Sequence, residues 1–161
     1  MAGLRIERDH PSRRDVARLL AEHLTDMHAT SPAESMHALD HAELADPAIT
    51  FWSVRDETTL LGCGALRELA AAAGAGAGEI KSMRTAVAAR NRGVASWLLA
   101  HLVDQARQRG YGRLFLETGT QPFFEPARRL YQRHGFAECP PFGDYRLDPN
   151  SVFMTLILAP A

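Results

Sequence analysis

The sequence predicts an α/β (α+β) fold, a mixed sheet with helices packed on both faces. Three observations carry that prediction. Short segments with strand-type patterning alternate along the chain with segments whose apolar residues recur at helical spacing. Apolar residues make up 46% and charged residues 23% of the 161 residues, enough to build a core without metal or disulfide staples. No internal repeat or linker-like stretch divides the chain, so a single domain over residues 1–161 is expected.

Residues 4–8 alternate apolar and charged side chains and read as a short edge strand. Ser12-Arg13-Arg14-Asp15 fits a capping box, and Val16, Leu19, Leu20, Leu24 and Met27 then predict a helix over 13–28. Ser31-Pro32 breaks the chain, a second helix is expected over 33–45, and Asp46-Pro47 ends it. Residues 49–54 and 60–66 read as a strand pair joined by the turn Asp56-Glu57-Thr58. The low-complexity stretch 70–78 contains GxGxG. A dinucleotide loop would follow a strand and open a helix, whereas this one runs into Glu79-Ile80-Lys81, the start of a strand over 79–87, and so reads as a flexible hairpin loop. Val94, Leu98, Leu102 and Ala106, widened by Trp97, Leu99 and Val103, mark a long helix that Gly110 ends. A short buried strand over 114–117, a helix over 126–134 stopped by Gly135, and a last strand over 152–158 complete the chain.

Composition excludes several function classes. Eighteen Lys and Arg against nineteen Asp and Glu leave a net charge of -1, without the basic excess that bulk nucleic-acid binding requires. The two cysteines, Cys63 and Cys139, match no metal or disulfide framework. No apolar run approaches the roughly 20 residues of a membrane span, and residues 1–10 hold no signal-peptide core. A cytoplasmic enzyme or binding module is the expectation, with no nucleic-acid or membrane partner.

The chemistry concentrates between residues 83 and 106. Arg90, Asn91, Arg92 and Gly93 lie where a strand turns into a helix, and Arg84, Arg90 and Arg92 give three positive charges within nine residues. A helix start offers unpaired N–H groups and the positive end of its dipole, and Gly93 lets an anion approach the backbone. The physics describes a pyrophosphate site; solvated arginines before a helix are the other reading.

The order of the elements adds to this. Arg90-Asn91-Arg92-Gly93-Val94-Ala95 stands where the R/Q-x-x-G-x-G/A loop stands in the GNAT superfamily of acyl-CoA-dependent N-acetyltransferases. Leu130-Tyr131-Gln132-Arg133-His134-Gly135-Phe136 likewise resembles that superfamily's L-Y-x-x-x-G-F helix end. The resemblance runs from the first strand to the last. It implies a mostly antiparallel twisted sheet of six to seven strands, acetyl-CoA as cosubstrate, no metal, and a small amine as acceptor. The backbone of Met83, Arg84 and Thr85 would pair with the pantetheine arm, and the loop through Val94, Ala95 and Ser96 would hold the pyrophosphate. Tyr131 would protonate the leaving thiolate, and Glu79 matches a position that is the general base in some branches. Alternation puts Glu79, Lys81, Met83 and Thr85 on one strand face. Packing on the sheet is the other reading of Tyr131, and a solvated strand start that of Glu79. The chain departs from the pattern at Phe124, where an Asn is frequent, and at Ala95 and Val87, which stand for a Gly and a Pro.

Two features bear on the acceptor. Asp15, Glu22, Asp26, Glu34, Asp40, Glu43 and Asp46 face one Arg18 across the region that roofs the acceptor site in the superfamily, and a negative roof would attract a cationic amine. Ordinary solvated helix faces would give the same composition. His37 and His41 are four apart on the expected helix but lack a metal motif. The loop carrying Phe142, Tyr145 and Arg146 also resembles a branch of small bacterial members, and Arg146 could clamp a carboxylate, so an amino acid or related zwitterion fits. No cysteine sits in an activated setting, which favours direct transfer in a ternary complex over an acyl-enzyme. A non-catalytic acyl-CoA-binding module and a protein or peptide N-acetyltransferase are the alternatives, and a homodimer is among the open oligomeric states.

Overall fold

The computed structural model describes residues 3–35, 42–69 and 76–158. Strands β1 (Leu4–Arg8), β2 (Ile49–Asp56), β3 (Thr59–Leu69), β4 (Ala77–Thr85), β5 (Arg113–Gly119), β6 (Ala137–Glu138) and β7 (Ser151–Ile157) form one sheet in the order β1-β2-β3-β4-β5-β7-β6. Every neighbouring pair is antiparallel except β4 and β5, which are parallel. Helix α2 (Val94–Gln108) makes the crossover between those two, as a parallel pair requires. Helices α1 (Arg14–Thr30) and α3 (Glu125–Arg133) complete the regular elements.

The sheet divides two cores. The larger gathers Leu98, Leu99, Leu102, Val103 and Ala106 of α2 with Trp52, Leu66, Ile80, Leu114, Leu116 and Tyr131. The smaller sets Val16, Leu19 and Leu20 of α1 on Phe51, Cys63 and Ala65. The alternation of β3 explains the division, since Cys63 and Ala65 face α1 while Gly64 and Leu66 face α2. A Cβ at Gly64 would sit 2.7 Å from Met83 Sδ and 3.1 Å from Leu98 Cδ2, so the missing side chain lets α2 and Met83 close onto the strand.

Several local expectations change. Ser12 does not cap α1. Arg13 occupies the N-cap position without a side-chain bond, and the Ser12 hydroxyl meets His10 Nδ1 at 2.5 Å. Asp15, the expected partner in the box, is taken by Arg55 instead. The helix expected over 33–45 shows 3-10 turns at Ala33–Ser35 and Glu43–Ala45, and its middle, with His37, Asp40 and His41, lies outside the described residues. The loop expected over 70–78 ends in strand, because Gly78 pairs with Glu68 and Leu114 and leaves room for Leu66 and Tyr111. No helix among the described residues is long and apolar enough to cross a membrane.

Arg55 anchors α1 to the sheet. Its side chain is 1% exposed and donates to Asp15 at 2.6 and 3.0 Å, to Asp9 at 3.0 Å and to the Thr58 carbonyl at 3.3 Å. Burial alone would raise Asp9, but the Ser53 hydroxyl, the His10 amide and Arg55 hold it below the ordinary 3.8, and Arg55 does the same for Asp15. A buried pair is costly to break one-sidedly because the remaining charge loses its partner. Arg55→Ala should therefore lower the unfolding free energy at pH 7 by about 3–5 kcal/mol in urea titrations. The two depressed carboxylates stabilise the fold fully above 3.8 and lose that contribution as the pH falls through their folded values. The gap between wild type and variant should narrow there.

Candidate active site

β4 and β5 pair only over Ala77–Arg113, Gly78–Leu114 and Glu79–Phe115. Beyond Glu79 the strands part. β4 runs on to Thr85 paired with β3 alone, and β5 runs on to Gly119 paired with β7 alone. A cleft opens between two unpaired strand edges, and backbone amides and carbonyls line it without ladder partners from the facing strand.

A bulge shapes the β4 side. Cys63 pairs with Arg84 and Ala65 with Lys81, so Gly64 alone faces the two residues Ser82 and Met83. Ser82 takes φ 55, in the left-handed region, and its carbonyl accepts the Cys63 thiol at 3.5 Å. The extra residue reverses the alternation. Glu79 and Lys81 lie on the α1 side, Met83 turns to the α2 side, and Arg84 returns to the α1 side. The expected shared face of Glu79, Lys81, Met83 and Thr85 is therefore broken at Ser82, and Thr85, opposite Gly62, follows Met83.

The basic loop leads into α2. Gly93 occupies its N-cap with φ 78 and no side-chain cap, and an added Cβ there would meet nothing within 4 Å. Arg90, Asn91 and Arg92 are exposed, with Asn91 also left-handed at φ 63. Val94 is buried in the larger core, Ala95 is half-buried, and the Ser96 hydroxyl meets His134 Nε2 at 2.7 Å, tying this helix start to the end of α3. The first amides of α2 have no carbonyl partner inside the helix and no side-chain cap, which suits an anion. Arg84 does not join this cluster. Its guanidinium crosses to α1, where Nη1 donates to Asp26 at 2.6 Å beside His23.

Tyr131 stands on α3, buried, edge-on to Phe136 with ring centroids 5.8 Å apart. Burial and the nearby Glu117 both push its hydroxyl above the ordinary tyrosine range, so it holds its proton. At the far end of the cleft Phe124 fills the place of the frequent Asn. It packs so closely that a Cβ on Gly119 would fall 2.2 Å from its ring.

On the α1 side of the sheet a second group assembles. The Tyr145 hydroxyl donates to Glu79 Oε2 at 2.6 Å, Lys81 Nζ donates to the Tyr145 oxygen at 2.9 Å, and Lys81 and Glu79 are 3.4 Å apart. Phe142 stacks on Phe115 at 4.7 Å and meets Tyr145 edge-on at 5.0 Å. Arg146 is exposed and stands apart from these contacts. Sequence reasoning named Glu79, Phe142 and Tyr145 separately, and the structure brings them together. It missed Glu117, whose signal was a charge directly after the apolar run Leu114-Phe115-Leu116 of a strand read as buried. Burial pushes Glu117 up to about 7, only partly offset by Ser151 and Lys81.

The acids of residues 15–46 form less of a negative roof than their number suggests. Asp15 and Asp26 are engaged by Arg55 and Arg84, and Asp46 accepts the Ala48 amide. Cys63 is fully buried and burial pushes its thiol up to about 12, which removes it as a nucleophile. Among the described residues no group of three or more His, Cys, Asp or Glu could hold a metal.

The comparisons agree with this architecture. The model of the acetyltransferase (GNAT) family matches residues 15–136. The uncharacterized N-acetyltransferase YsnE of Bacillus subtilis is 50% identical over 152 residues, covering 94% of this chain and 98% of that protein. A Klebsiella pneumoniae crystal structure described as an acyl-CoA N-acyltransferase superposes with a TM-score of 0.77 at 28% identity, over 99% of this chain and 100% of the other. A Bacillus subtilis acetyltransferase in complex with CoA shares the fold, with a TM-score of 0.71 at 16% identity over 97% and 99% of the two chains.

The Arg84 contact generates a pH prediction. Burial, then Arg84, pushes His23 down to about 4, with Asp26 opposing. Its neutral form belongs to the fold, so its contribution is complete above the ordinary 6.5 and is lost as the pH falls toward 4. His23→Gln should flatten the decline of the melting temperature across that interval and leave melts above pH 7 parallel to wild type. An unchanged acid slope would show that His23 does not titrate with unfolding.

Proposed function

Since this chain belongs to the acetyltransferase (GNAT) family and is an acetyl-CoA-dependent N-acetyltransferase, we propose that it acetylates the amine of a small zwitterion, directly, in a ternary complex. The observation that carries the reading is the parting of β4 and β5 beside the open start of α2. The free edge of β4 at Met83, Arg84 and Thr85 suits an extended amide-bearing arm, taken up as an added strand. The amides after Gly93, with Arg90 and Arg92 alongside, suit a pyrophosphate, and a Bacillus subtilis acetyltransferase of the same fold in complex with CoA supports a coenzyme A ligand. Acetyl-CoA supplies the acyl group as a thioester. Tyr131 keeps its proton at neutral pH, which suits a donor to the departing thiolate. Direct transfer is supported by the inert, buried setting of Cys63. Phe142, Tyr145 and the adjoining Arg146 form the acceptor side, with Arg146 free to meet a carboxylate.

Two substitutions test this. Glu at position 93 would set a carboxylate against the anion site. The space is open, so the fold bears only the left-handed cost of about 1–2 kcal/mol. Calorimetry on Gly93→Glu should show coenzyme A binding lost while circular dichroism is retained, and an unchanged affinity would remove the loop from the site. Tyr131→Phe keeps the ring and deletes the proton. Thiol release from acetyl-CoA should fall by roughly one to four decades with coenzyme A affinity intact. A fully active variant would make Tyr131 a packing residue.

A further inference from the structure

β4 and β5 carry one carboxylate each toward the same side of the sheet, and the two differ in their surroundings. Glu79 is 2% exposed, and its Oε2 is engaged by the Tyr145 hydroxyl and the Lys81 ammonium. Both contacts fall on that one oxygen and fix the buried side chain against Tyr145 and Lys81. Glu117 is partly exposed and has no ion pair among the described residues. It lies two residues past Phe115, the last β5 residue that pairs with β4, so it stands at the mouth of the cleft. Tyr131, Tyr145 and Glu79 all feel its charge, so it lies within electrostatic reach of the proposed acid and of the acceptor wall.

Resting on the acetyltransfer reading above, we propose that Glu117, rather than Glu79, is the general base that takes the proton from the incoming ammonium, while Glu79 is a positioning residue that holds Tyr145 and Lys81. In the first step one ammonium proton passes to a Glu117 oxygen, leaving a neutral amine and a protonated carboxyl. The amine nitrogen then attacks the thioester carbonyl, its C–N bond forms, and the C–S bond breaks as the sulfur takes the Tyr131 proton. The second nitrogen proton returns to the Tyr131 oxygen, and Glu117 releases its proton to water. The balance is one ammonium and one thioester in, and one amide, one thiol and one proton out.

The groups facing Glu117 set its readiness. Glu79 and Lys81 face it from β4, Tyr131 from α3, Asp148 and Tyr145 from the segment before β7, and Ser151 from the start of β7. Burial outweighs the opposing pull of Ser151 and Lys81, and Glu79 and Asp148 reinforce it. A base works best when its proton affinity matches the working pH, and these surroundings bring a carboxylate close to neutrality.

The test follows thiol release from acetyl-CoA against pH, with the common amino acids, their decarboxylated amines and hydroxylamine as acceptors. Glu117→Gln preserves shape. It should lower kcat/KM for the alkylamines about a hundredfold or more at pH 7 and abolish the acidic limb near 7. Hydroxylamine is mostly neutral at that pH, so its rate should change little. Glu79→Gln should keep the acidic limb, with its loss showing in thermal stability and the acceptor KM. If Glu117→Gln keeps the limb, or Glu79→Gln loses it, the assignment is overturned while the acetyltransferase reading stands. If no acceptor supports thiol release, the small-amine reading fails. Glu117 is then judged by carbon-detected NMR of its carboxyl, where titration near 7 supports the poised base and titration in the ordinary carboxylate range overturns it.

Discussion

Three residue pairs hold β4 to β5, and the cleft of the candidate site depends on the pairing going no further. A continuous ladder would satisfy both strand edges and close the sheet. The bulge at Ser82 bends β4 away instead, and the crossover helix α2 starts beside the gap. The cost is a residue in the left-handed region and a Ser82 hydroxyl buried without a hydrogen-bond partner. Such local strain, on the order of 1–3 kcal/mol, persists only where surrounding packing enforces it. Gly64 supplies that packing by letting Met83 fold over the strand.

Charge is organised around the same gap. On the α1 side the buried cations each have a defined partner: Arg55 with Asp9 and Asp15, Arg84 with Asp26, Lys81 with Glu79. Pairing is what makes their burial tolerable. These contacts fix α1 and the Tyr145 segment on the sheet, and they account for acids that look available when only the sequence is read. Glu117 falls outside this pairing, just past the point where β4 and β5 part.

Much of the fold was legible because the elements are strongly periodic. The α2 stripe, the α1 stripe and the Gly93 turn all read directly from spacing. The bulge was not, because Ser82 carries no residue-type mark of a left-handed backbone, and one extra residue turned Met83 and Thr85 to the opposite face. The capping box failed because a guanidinium forty residues away outcompeted local backbone groups for Asp15. The candidate site was half legible. The loop and Tyr131 follow from motif and spacing, whereas the Glu79–Lys81–Tyr145 cluster joins residues more than sixty positions apart. Glu117 carries a weaker signal, the single carboxylate of β5, standing directly after three apolar residues.

The contact between Gly119 and Phe124 has a consequence for how such chains diverge. The ring lies where any β-carbon at 119 would have to be. Position 119 cannot gain a side chain alone. A side chain gained at 119 must be preceded by a smaller residue at 124, and the ring at 124 is admissible only while 119 stays bare. Removing the ring takes one substitution, whereas a side chain at 119 has to come second, so the packing fixes the order in which the two positions can change.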